Sequence, residues 1–114
     1  MDEITGYHAH VYYDAATKAT ASSVRECLAV QFPHEVLGHW HDDPVGPHPM
    51  GSYLIAFPPS RFAEVVTWLM LHRQGLIVFV HPETGNDLAD HMERALWMGG
   101  MPELDVSVFE TAKG

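Results

Sequence analysis

The sequence predicts an α+β fold in the ferredoxin-like βαββαβ order, with an antiparallel sheet, both main helices on one face and an extra C-terminal helix. Three observations carry this. Segments rich in Tyr, Val, Ile and Phe alternate with segments of helical apolar spacing in that order. Pro, Gly or Asn marks most of the boundaries. And 114 residues, 46% of them hydrophobic, suit one domain over 1–114 with its own core. Helices on one side leave the other sheet face open. That face, with Tyr53, Ile55, Phe57 or their neighbours as an apolar patch, predicts a homodimer built as a dimeric α+β barrel.

The first strand spans about residues 6–13, in which Tyr and Val favour a pleated surface. A helix follows to about Phe32, with Val24, Cys27 and Leu28 at helical spacing, and Pro33 stops it. Residues 35–41 form a weaker second strand. Pro44, Gly46, Pro47 and Pro49 hold a loop, and residues 51–57 form a third strand. The second helix covers about 61–74, with Phe62, Val65, Val66 and Leu69 on one face and Gly75 as its stop. Residues 76–80 are the fourth strand. Asn86 caps a third helix over about 87–98, and residues 104–109 alternate as a short extra strand. Sheet order 4-1-3-2 makes the first strand central.

Composition removes several classes of function. Fifteen acids against six bases give a net charge of −9, which disfavours nucleic acid and anionic membranes. One cysteine, Cys27, forms no internal disulfide and no Cys-rich zinc or iron–sulfur site. The start, Met1-Asp2-Glu3, lacks a signal-peptide pattern, and the longest apolar run, residues 76–80, is too short to span a membrane. A soluble cytoplasmic protein is expected.

Nine dispersed histidines are the anomaly of this composition. In Tyr7-His8-Ala9-His10-Val11-Tyr12-Tyr13, strand alternation puts His8, His10 and Tyr12 on one face. Histidines at i and i+2 are about 6.6 Å apart along a strand, and their rings can lean together over one metal ion. The fourth strand runs antiparallel to the first, which brings His81 beside His8. The alternative is a polar strand face turned to water. His48 sits in a rigid loop, Gly46-Pro47-His48-Pro49, of the kind that often carries function. His39 and His41 form a second H-x-H, better read as a solvated edge. His34 and His72 suit helix ends. His91, near Asp87 and Asp90, reads as a helix-surface residue. Histidine ligands without thiolate fit Fe(II) or Zn(II). No carboxylate ligand is evident: Glu83 is next to His81 but in a turn.

These residues, with His81-Pro82-Glu83-Thr84-Gly85, Asp90-His91 and Trp97-Met98-Gly99, resemble the DOPA 4,5-dioxygenase family over about residues 6–109. The resemblance implies a dimeric ferredoxin-like fold and an extradiol-type dioxygenase. It would open the ring of DOPA or a related catechol with O₂ at a non-haem Fe(II), with Zn as an ion a structure could hold instead. It further implies His8, His10 and His81 as metal ligands, and His48 as acid/base or alternative ligand. His91 would act from just outside the ligand set, and Tyr12 and Tyr53 would stack on or hydrogen-bond the catechol. The rivals are a zinc-dependent or metal-free hydrolase or isomerase on the same histidines, and a module that binds a metal or aromatic ligand without chemistry.

Overall fold

β1 (Gly6–Tyr13) and β4 (Val78–Glu83) are the structural axis of the protein, whose computed structural model describes residues 3–109. β1 lies between β3 (Gly51–Phe57) and β4. β2 (Val36–Leu37) borders β3, and β5 (Leu96–Met98) borders β4. All pairings are antiparallel. The expected 4-1-3-2 order is therefore present, with a fifth strand added at the β4 edge.

Alternation along β1 sorts its two faces. Ala9, Val11 and Tyr13 point towards α1 (Lys18–Gln31) and α2 (Phe62–His72). Those helices bury Ala21, Val24 and Leu28, and Val65, Val66 and Leu69, at i, i+3, i+4 spacing. Each such Val or Leu, taken fully out of water, contributes about 1.5–3 kcal/mol before chain entropy is set against it.

The register corrects the expected apolar patch. Tyr53, Ile55 and Phe57 lie opposite Val11, Ala9 and Tyr7, so they face the helices and are at most 3% exposed. The motive for pairing two subunits through these residues falls away.

Four local readings also change. The second strand shrinks to two residues, with a single further bridge from His41 to Ser52. β4 starts later and runs on through Pro82 to Glu83. The third helix, α3 (Asp87–Met92), keeps its Asn86 cap, whose side chain accepts from Ala89 N at 3.2 Å, but it stops six residues short of Met98. Residues 96–98 instead become β5, because Trp97 stacks on the fully buried Phe79 (ring centroids 4.2 Å, interplanar angle 14°). Here tertiary contact overrides helix propensity. Residues 104–109 join no strand, and 107–109 begin a helical turn.

Candidate metal centre

The sheet face away from the helices carries His8, His10 and Tyr12 from β1, and Phe79, His81 and Glu83 from β4. Pairing sets His8 opposite His81 and His10 opposite Phe79. One ring nitrogen from each of His8, His10 and His81 lies within 4.8 Å of the other two. His10 Nε2 and His81 Nε2 face each other at 3.0 Å. Two more histidines close over them. The 42–50 loop delivers His48, whose ring centroid is 4.1 Å from that of His10. α3 delivers His91, whose centroid is 3.9 Å from that of His81. Phe79 forms the floor, with its centroid 5.3 to 6.2 Å from those of all four buried histidines.

Hydrogen bonds fix which nitrogens carry protons. A carbonyl oxygen only accepts, so His81 Nδ1 donates to Pro82 O (3.0 Å) and His91 Nδ1 donates to Asp87 O (2.7 Å). In the neutral rings Nε2 is then a lone pair. Tyr12 OH and His48 Nδ1 are 2.7 Å apart, and the phenol, the stronger acid, is the natural donor. That leaves the His48 proton on Nε2.

Burial keeps the pocket neutral. It holds His10 well below the usual imidazole range, with the imidazoles of His48, His81, His8 and His91 adding to the effect. Burial likewise lowers His48 to about 4 and His81 to about 3, the latter partly opposed by its bond to Pro82. Burial lowers His8 as well, with Asp87 opposing the shift. Burial pushes the Tyr12 phenol up and, with help from Asp87, raises the Glu83 carboxyl. Neutral imidazole is the form that binds a metal, so this donor set suits a divalent cation.

Of the residues singled out in the sequence, His8, His10, His81, His48, His91 and Tyr12 converge here. Tyr53 does not. It is 1% exposed on the helix side of the sheet and spends its hydroxyl on Ala21 O (2.8 Å), so it has no access to the histidine face. Tyr12 reaches the pocket through His48 rather than through an open hydroxyl. His91 is buried, not on a helix surface. His39 and His41 stay exposed and, among the described residues, join no group of potential ligands; His34 and His72 are also exposed.

Sequence reasoning passed over two residues. Glu83 is not in a turn. It ends β4 on the face of His81, with Oε1 3.1 Å from His8 Nδ1 and 3.5 Å from His81 Nδ1. Phe79 stands two residues before His81 on the same face. Strand alternation counted outwards from His81 finds both.

The class is thus defined: a ferredoxin-like sheet whose second face holds a buried, neutral polyhistidine pocket. The model of the Dopa 4,5-dioxygenase family matches residues 7–108, and the chain belongs to that family. It is 36% identical to a DOPA 4,5-dioxygenase of Amanita muscaria over 105 residues, which cover 85% of this chain and 46% of that protein. It is 30% identical to an uncharacterised 21.2 kDa protein of Botryotinia fuckeliana, across 94% of this chain and 64% of the relative. This chain therefore spans less than two thirds of the length of either curated relative. The crystal structure of a candidate dioxygenase from Nostoc punctiforme superposes with a TM-score of 0.93 at 48% identity, covering 96% of this chain and 94% of the other.

Proposed function

We propose that this protein is an extradiol-type dioxygenase that opens the ring of DOPA or a related catechol with O₂, using Fe(II) held by His8, His10 and His81. The observation that carries this is the convergence of one nitrogen from each of these residues within 4.8 Å, in a chain of this family. The donor set fits a borderline divalent ion. His81 offers a lone pair fixed by its Nδ1–H bond to Pro82, and no thiolate is near. Bound there, Fe(II) would supply Lewis acidity to the catechol oxygens and a redox partner for O₂.

The rest of the chemistry belongs to the chain's own side chains. Glu83 Oε1, 3.1 Å from His8 Nδ1, is the carboxylate that orients that ring and raises its basicity as a ligand. His91 Nε2, unprotonated, is the base that takes a catechol proton. His48 Nε2–H is the donor on the opposite side, and Tyr12 holds its tautomer. Phe79 and Trp97 exclude water beneath the ring. In this reading a catechol enters over His8, the most exposed of the five histidines, whose side chain is 33% accessible.

The test is anaerobic loading with Fe(II), then oxygen uptake with L-DOPA, caffeic acid and simpler catechols, watched for a yellow semialdehyde. Uptake with coloured product is expected. An iron-replete protein that consumes no oxygen with any catechol refutes the reading.

A further inference from the structure

Asp90 is a buried acid that the proposed chemistry leaves unused, 1% exposed and one residue from His91. Its Oδ2 accepts from Thr84 N at 2.8 Å, and its Oδ1 accepts from Thr84 Oγ1 at 2.7 Å and from Arg94 Nη1 at 3.1 Å. Arg94 Nη1 also donates to Thr84 Oγ1 at 2.9 Å, which closes a triangle of three side chains. Thr84 directly follows Glu83 at the end of β4, whereas Asp90 and His91 sit on α3.

α3 has only six residues, too few to be stable by helical hydrogen bonding alone. Something outside the helix must hold it. The buried carboxylate does so by tying the helix to the strand that carries His81 and Glu83. The His91 bond to Asp87 O, which sets its tautomer, depends on that helical turn being intact.

We infer that Asp90 is a positioning residue: through Thr84 and Arg94 it locks α3 to the end of β4 and so fixes the place and tautomer of His91. This rests on the proposed role of His91 as a base, and it adds a residue that touches neither metal nor substrate. A loosened base costs turnover rather than binding, because displacement of about 1 Å from reacting geometry can cost about 100-fold in rate.

Two variants separate this from a general loss of stability. Asp90→Asn removes the charge, and Thr84→Val removes one hydroxyl while leaving the Thr84 backbone bond. In metal-free protein with ¹⁵N-labelled histidine, the wild type should show His91 protonated at Nδ1 alone. Both variants should show mixed tautomers. In iron-loaded protein kcat should fall about tenfold, with catechol KM and iron content unchanged, and Thr84→Ser should restore both readouts. A single His91 tautomer in both variants, or a kcat loss that merely follows the unfolded fraction, overturns the inference. If the wild type cleaves no catechol, the dioxygenase reading falls, and the tautomer measurement still decides the role of Asp90.

Discussion

His10 is buried, 5% exposed, and its Nε2 faces His81 Nε2 at 3.0 Å. His10→Ala should therefore abolish tight metal binding while far-ultraviolet circular dichroism stays native. Full metal content in that variant rules out the ligand assignment. Glu83 works one bond further back. Glu83→Gln keeps the shape and weakens the hold on His8, so metal affinity by chelator competition should drop by about 10- to 100-fold. Tyr12→Phe removes only the bond to His48 Nδ1. It should lower kcat with iron content unchanged, and a variant with wild-type kcat would show that His48 needs no orienting partner. These residues differ in how visible they were. His8 and His10 announce themselves by spacing, and His81 by its distance along an antiparallel chain. Glu83 hid behind Pro82, which reads as a strand breaker yet sits inside β4. Tyr53 misled because aromatic identity says nothing of which face a side chain takes until register is known.

At the scale of elements, the strong strands and both long helices were legible because their periodicity is local. What stayed hidden was set by distant contacts. β5 forms only because Phe79 gives Trp97 a surface, and β2 ends as a regular strand after Leu37 although Gly38 N still donates to Leu54 O (2.8 Å) and His41 still bridges Ser52. Gly51 marks where that loop rejoins the sheet. A Cβ there would stand 3.0 Å from the carbonyl oxygens of both His41 and Asp42 and 3.1 Å from the Tyr13 ring. Gly51→Ala must push the start of the loop outwards. It should cost about 1–3 kcal/mol in chemical denaturation, the usual range for overpacking, and lower turnover by loosening His48. An alanine variant as stable and active as the wild type would show that the strand can slide to make room.

For the whole molecule, the neutral pocket makes stability depend on pH. Histidine in the unfolded chain titrates near 6.5, roughly, whereas His48 and His81 hold out to about 4 and about 3 when folded. Above about pH 6.5 both states keep these rings neutral, and the full stability is present. As pH falls below that, the unfolded chain binds protons that the folded pocket refuses, so stability drops progressively towards the folded values. The Tm of metal-free protein should decline between about pH 7 and about pH 4, and zinc or iron should raise Tm at neutral pH and carry the decline on to lower pH, since ion-bound rings refuse protons until the ion leaves. A flat Tm across that window would contradict the neutral pocket.

The register of β1 against β4 carries one more consequence, for the order in which the protein is made. His10 and His81 are 71 residues apart in the chain yet face each other in the sheet. A ribosome releases the first half of the site long before the second exists. A nascent chain therefore presents only an H-x-H pair until β4 is made, and the three-histidine cluster is complete only when β4 docks on β1. An ion held by His8, His10 and His81 would therefore be loaded after synthesis, rather than serve as a template for early folding.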